Sequence, residues 1–184
     1  MTPTQVLKDE HEGILSMLGV FEKILGTMAS PASIPAQHLD DILDFFKEFI
    51  DTCHHGKEER FLFPALQKAG VSREGGPIGV MLEEHEAGRK YVRQMRDIKK
   101  KLSDELPNAS DEFAGTARLY IDLLRSHIQK ENMVLFQMAD KVLSKKEQDQ
   151  LVEQFDRLEK EEIGEGRHES FHSLIDTLSR TNGS

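Results

Sequence analysis

One stretch in the first third of this sequence places two histidines four residues before two glutamates. The pairs are His54 with Glu58 and His55 with Glu59. Residues four apart lie one turn apart on the same face of an α-helix. Each pair could therefore present an imidazole and a carboxylate to the same metal ion, if its face points into the protein.

The apolar residues around this stretch indicate which face is buried. With 3.6 residues per turn, the row through His55 and Glu59 continues an apolar seam, whose members include Ile42, Phe45, Phe49, Phe63 and Leu66. The neighbouring row through His54 and Glu58 is otherwise mostly charged. The sequence therefore predicts His55 and Glu59 inside the protein, and His54 and Glu58 facing solvent.

Three other predicted helices each carry one histidine in an otherwise apolar row. These are His11, His85 and His127, and Glu131 follows His127 at the same four-residue spacing. A single core histidine is often bonded only to a backbone carbonyl. Buried carboxylates, however, need protons, cations or metal, because burying an isolated charge is very costly. Four imidazoles and two carboxylates suit iron or manganese, and they suit two ions better than one structural zinc.

The helical elements that must position these residues follow from their periodicity and breaks. Long helices are predicted over about residues 4–28, 35–68, 77–106 and 111–140, with a kink near Arg60 caused by Pro64. The predicted fold class is all-α: an up-down-up-down four-helix bundle (residues 1–140) with a C-terminal helical extension (141–184) packed on it. A capping box at Ser144 starts the first helix of that extension.

Composition narrows the classes of function. The 184 residues suffice for one core, and the net charge of −9 makes nucleic acid an unsuitable partner. No apolar run approaches the ~20 residues that span a bilayer. The N-terminus lacks the form of a signal peptide, and the single Cys53 excludes an internal disulfide, so we expect a cytoplasmic protein. Nothing in the sequence fixes the oligomeric state.

At these residues the chain resembles the hemerythrin-like HHE family of cation-binding domains. The matching motifs are His11-Glu12, the run 54–64, His85-Glu86 and the run 127–136, in this order over about residues 5–140. The resemblance implies a four-helix bundle around a non-haem di-iron centre, with two iron ions and an oxo or hydroxo bridge.

The resemblance also implies how the ligands are shared. Glu59 and Glu131 would bridge the irons, with His11 and His55 on one of them and His85 and His127 on the other. Oxygen-carrying hemerythrins have a second histidine, four residues away, on the third helix. Here Met81 and Arg89 occupy those positions around His85. One iron would then lack a ligand and could bind water, peroxide or nitric oxide, unless His168 from the tail supplies a seventh ligand, with His172 a weaker candidate.

Two main functions remain open at this point. The first is binding of oxygen or a related small ligand, nitric oxide or peroxide, for sensing, storage or delivery. The alternative is an enzyme with peroxidase- or catalase-like activity, or an iron donor for the repair of iron–sulfur clusters. A third reading is a single divalent ion that only stiffens the core. An open iron favours reactivity, whereas a compensating His168 favours carriage or sensing.

Overall fold

Six helices form the part of the chain that the structure describes. In this computed structural model the described residues are 1–27, 33–104, 106–164 and 166–181, and they contain no strand. The helices are α1 (Pro3–Thr27), α2 (residues 36–68), α3 (Pro77–Ser103), α4 (residues 109–142), α5 (residues 145–163) and α6 (Arg167–Thr181). The predicted all-α fold is confirmed. Among the described residues, no helix is both long enough and apolar enough to cross a bilayer.

The apolar core shows directly that helices α1 to α4 alternate in direction. It consists of a larger cluster, which includes Ile14, Ile50, Val92 and Leu124, and a smaller one, which includes Leu7, Leu62, Met81 and Leu135. Along α1 and α3 the chain passes from the smaller cluster through a histidine to the larger one. Along α2 and α4 it passes the opposite way. The histidines therefore form one layer between two apolar cores, in an up-down-up-down bundle.

Helices α2 and α4 contain widened, π-helical turns near their histidines. In α2 these are Phe46–His55 and Glu58–Leu62, and in α4 the turn is Glu131–Leu135. In such a turn the N–H of residue i+5 bonds to the carbonyl of residue i, so each turn holds more residues than in an α-helix. The N–H of Phe63 bonds in this way to the carbonyl of Glu58.

The widened turns change which residues of α2 point inward. In a regular α-helix a row of residues spaced by four drifts around the axis by about 40° per step. The π-helical turns remove this drift, so one such row stays buried throughout: Phe46, Ile50, His54, Glu58, Leu62 and Leu66. The prediction that His54 and Glu58 face solvent is wrong, since they are 1% and 0% exposed.

The same effect shifts the inner face of α4. A regular period places Val134 on the seam, but its side chain is 48% exposed, and Leu135 is buried instead. In α2, Pro64 has no N–H to bond to the carbonyl of Arg60. The irregularity predicted near Arg60 takes the form of the widened turn Glu58–Leu62.

The tail helices pack against the bundle. Helix α5 contacts α1 and the turn Glu58–Leu62, and α6 contacts α1 and the first part of α2. The ring of Phe171 in α6 lies 5.3 Å from that of Phe45 and 5.6 Å from that of Phe49, measured between centroids. The division into a bundle (1–140) and an extension (141–184) stays a prediction, and this aromatic contact offers a test of it.

We expect Phe171→Ala to lower the free energy of unfolding by about 3 kcal/mol, because it removes a buried ring from the larger core. Leu119→Ala is the control: Leu119 is 54% exposed, so its truncation should cost less than ~0.5 kcal/mol. Denaturant unfolding of both variants measures the difference. Equal stability of the two would contradict the packing of α6, and a separate transition for the tail would support an independent extension.

Candidate metal centre

Four histidines, one from each bundle helix, face one another in pairs at the centre of the layer. The Nε2 atoms of His11 and His54 are 3.0 Å apart, and those of His85 and His127 are 3.1 Å apart. Two nitrogens bound side by side to one octahedral ion, with bonds of about 2.1 Å, would be separated by about 3.0 Å. The pairs therefore have the spacing of ligands that share an ion.

Glu131 lies between the two pairs. Its Oε2 atom is 3.2 Å from Nε2 of His11 and 3.3 Å from Nε2 of His127. The side chain is 0% exposed. One carboxylate thus reaches a histidine of each pair, which is the position of a bridging ligand.

Glu58 occupies the matching position on the other side. Its Oε1 is 3.7 Å from Nε2 of His54, and its Oε2 is 3.4 Å from Nε2 of His85. All four carboxylate oxygens of Glu58 and Glu131 are buried, and none has a hydrogen-bond partner among the described residues. Buried oxygens of this kind are costly without a compensating cation. The donor set therefore fits bound metal ions.

The outer nitrogen of each paired imidazole is held by a neighbouring helix. Nδ1–H donates to an oxygen 2.7–2.9 Å away in four bonds: His11 to Asn132, His54 to Glu10, His85 to Glu59, and His127 to Glu84. Such a bond fixes the tautomer and leaves the Nε2 lone pair free to bind a metal. Glu10, Glu84 and Asn132 were not predicted to lie at the site. Their positions in the sequence share one feature: each stands directly before an inward histidine or directly after an inward glutamate.

Glu59 is not buried as its position in the sequence predicted. It was predicted to be buried, and the resemblance implied that it bridges the two irons. Its side chain is 26% exposed, and its Oε1 lies 2.7 Å from Nδ1 of His85 and 2.6 Å from Nη2 of Arg89. Burial raises the pKa of Glu59, but the hydrogen bonds from His85 and Arg89 outweigh it and lower the pKa below the usual range. Glu59 thus supports His85 from outside, and Glu58 takes the inward position.

His55 is buried as predicted but belongs with different partners. Its ring stacks on that of His85, with centroids 3.7 Å apart and an angle of 13° between the planes. The resemblance had implied that it shares an iron with His11, whereas in the structure the imidazole that lies beside His11 is that of His54.

Two groups of possible ligands result, and Glu58 belongs to both. The first group is His11, His54, Glu58 and Glu131, and the second group is His55, Glu58, His85 and His127. Within each group the possible ligand atoms all lie within 4.8 Å of one another. Two adjacent groups with a shared carboxylate are the arrangement of a binuclear metal site.

A third acidic cluster, Glu10, Cys53 and Glu159, already contains its own cation. The ammonium group of Lys57, which is 0% exposed, bonds to Glu10 and lies 3.0 Å from a carboxylate oxygen of Glu159. Burial raises the pKa of the Cys53 thiol to about 12, so the thiol stays protonated. Cys53 is 0% exposed, and this cluster needs no metal.

The predicted seventh ligand cannot be placed. His168 and His172 lie in α6, but their side chains are outside the described residues.

Tyr120 is 2% exposed and packs on Phe46, with ring centroids 4.6 Å apart.

Comparison with known proteins agrees with this geometry. The profile of the hemerythrin HHE cation-binding domain matches residues 2–139. An uncharacterized protein of Mycobacterium bovis is 24% identical over 179 residues, which are 97% of this chain and 68% of that protein. The iron–sulfur cluster repair protein YtfE of Musicola paradisiaca is 38% identical over 120 residues, 60% of this chain and 48% of that protein. YtfE of Edwardsiella ictaluri is 33% identical over 105 residues, 53% of this chain and 44% of that protein. No solved structure gives a significant match.

Proposed function

Because the chain belongs to the hemerythrin family of HHE cation-binding domains, we propose that it holds two iron ions in the layer between its apolar cores. The observation that supports this most strongly is that the four carboxylate oxygens of Glu58 and Glu131 are buried and form no hydrogen bond among the described residues. Mixed imidazole and carboxylate ligands suit iron. Two iron cations held between these carboxylates would compensate the negative charges of both.

In this proposal Glu58 and Glu131 would be shared between the ions. His11 and His54 would hold the first ion, and His85 and His127 would hold the second. His55, stacked on His85 in the second group, would be a further ligand of the second ion. It would replace the histidine that α3 lacks, and His168 would then not be needed for that purpose.

We further propose that the centre binds oxygen or a related small ligand, nitric oxide or peroxide, for sensing, storage or delivery. Bound iron would supply redox chemistry and an exchangeable coordination position. Each group offers only four possible ligands, fewer than the six of an octahedral ion, so either ion could keep an exchangeable position. The protein's own contribution is to fix the imidazoles through their Nδ1 bonds and to limit the access of water by the apolar cores on both sides.

The second candidate function is iron–sulfur cluster repair or another reaction. It is favoured by the similarity to YtfE, which is named as a repair protein. The chain matches only about half of the length of that relative, so its activity does not transfer directly. A donor must release iron, and the first group, with one imidazole fewer than the second, is the better suited to do so.

Metal analysis tests the proposal. We expect recombinant protein to contain two irons per chain and to show a charge-transfer band in the near ultraviolet. A His38→Ala variant, changed outside the layer, should be indistinguishable. One zinc ion and no iron would rule the proposal out.

Stopped-flow spectroscopy of the reduced protein against oxygen, peroxide and nitric oxide separates the candidate functions. A stable adduct supports binding, whereas repeated turnover of peroxide supports an enzyme. Loss of iron to an added cluster-free iron–sulfur protein supports donation, and retention of all iron in that assay contradicts it.

A further inference from the structure

A cleft of about 300 Å³ runs between α2 and α3 toward the second group. Its inner end is formed by His55 and Tyr120, which are 4% and 2% exposed. Its outer rim carries Lys47, Arg93 and Arg96. Because the ring of His55 stacks on that of His85, a molecule at the inner end would lie beside the second group.

The walls of the cleft are mainly apolar, with Phe46, Ile50, Val92 and Tyr120 among them. A molecule that fits such walls forms few hydrogen bonds and carries no net charge. About ten water molecules occupy the same volume in liquid water. The cleft is therefore larger than a diatomic molecule.

The positive charges along the cleft are largely compensated by carboxylates. Arg89 bonds to Asp51, Glu59 and Glu86. Arg96 bonds to Asp44. These pairs leave little net field to attract an anion, although four basic residues line the cleft. The charge distribution therefore favours an uncharged molecule over an anionic one.

Two features at the inner end suit a small guest. Nδ1 of His55 is buried and forms no hydrogen bond among the described residues, and a carboxylate oxygen of Asp51 lies 3.9 Å from it. Gly88 in α3 lines the cleft without a side chain. A methyl group there would lie 3.7 Å from Cε2 of Tyr120, which is ordinary contact. A larger side chain at this position would extend into the cleft.

We propose that this cleft is the entry path and holding pocket for a small uncharged molecule, of the class of dioxygen and nitric oxide, and that Gly88 keeps it open. This proposal rests on the proposed function where it concerns binding of the molecule to iron. The pocket itself can be tested without iron.

Xenon is a suitable probe, because it occupies dry apolar cavities. We expect xenon in this cleft in crystals of both iron-loaded and metal-free protein, and none in Gly88→Leu. Gly19→Leu is the matched control, since a side-chain carbon at Gly19 meets nothing within 4 Å. Xenon absent from the wild-type cleft, or iodide bound there in its place, would overturn the proposal.

The kinetic arm uses the iron-loaded protein. Gly88→Leu should keep its iron and bind nitric oxide at least tenfold more slowly, and Gly19→Leu should match the wild type. An unchanged rate in Gly88→Leu with full iron content would overturn the entry path. Val92→Phe narrows the same cleft and replaces Gly88→Leu if that variant does not fold. Wild-type protein that binds xenon here but never iron would contradict the proposed function and leave the pocket standing.

Discussion

Glu58→Gln should abolish the binuclear centre, whereas the same change at the adjacent Glu59 should leave two metal ions bound. Glu58 is 0% exposed and belongs to both ligand groups, and its oxygens form no hydrogen bond among the described residues. Glu59 supports only His85, from outside. Loss of such an outer bond typically weakens metal binding by about 10–100-fold without removing a ligand.

Metal analysis and titration calorimetry measure both changes. We expect fewer than one ion per chain in Glu58→Gln, and two ions with weaker affinity for one of them in Glu59→Gln. The two residues are adjacent and chemically identical, so the comparison isolates their orientation. Loss of metal in Glu59→Gln together with retention in Glu58→Gln would restore the assignment that the 3.6-residue period had suggested.

His54→Ala belongs to the same comparison. A solvent-facing histidine could be removed without effect, but the structure places His54 beside His11, with its outer nitrogen bonded to Glu10. We therefore expect His54→Ala to lose the first ion. Full metal content in this variant would contradict the ligand pair that the structure indicates.

The bundle and the layer could be predicted because they depend on local periodicity. Helices α1, α3 and α4 each carry an apolar row that contains one histidine. Such a row faces the core however the helices pack. The orientation of α2 was predicted wrongly because the period assumed was that of a regular α-helix. A strict four-residue row, from Phe46 through His54 and Glu58 to Leu66, is visible in the sequence. It becomes the inner face only if the helix has widened turns, which a single sequence does not reveal.

The outer bonds follow a pattern that repeats between the two halves of the bundle. The glutamate before an inward histidine of one helix bonds to the histidine of the next: Glu10 to His54, and Glu84 to His127. The residue after each inward glutamate, Asn132 or Glu59, bonds to the remaining histidine. The residue types are visible in the sequence, but their partners are not, because they depend on how separate helices pack.

The tail is connected to the site through buried charge. Glu159 of α5 contacts Lys57, Lys57 contacts Glu10, and Glu10 accepts the Nδ1–H bond of His54. Burial lowers the pKa of Lys57, but the charge of Glu10 outweighs it and raises the pKa, so the ammonium form persists. The sequence suggested a tail histidine as the link to the metal. In the described residues the link is an ion pair that orients a histidine of α2.

Removing the metal should lower the melting temperature by about 10–20 °C. A ligand that binds only the folded state at 100 times its dissociation constant stabilises by about 2.7 kcal/mol. Two such ions would contribute about 5 kcal/mol, and each kcal/mol shifts the melting temperature of a chain of this length by about 2–4 °C. The physical source is the relief of two buried carboxylates and the joining of four helices by the same ligands.

Calorimetry before and after treatment with a chelator, with iron then restored, measures this shift. Glu58→Gln provides the control, since a chain without the shared carboxylate should melt at one temperature under all three conditions. Its metal-free form should melt above metal-free wild type, because the change removes one of the two buried negative charges. A wild-type melting temperature that does not respond to metal would mean that the buried glutamates are compensated by protons on the neighbouring imidazoles, and that the layer is stable without ions.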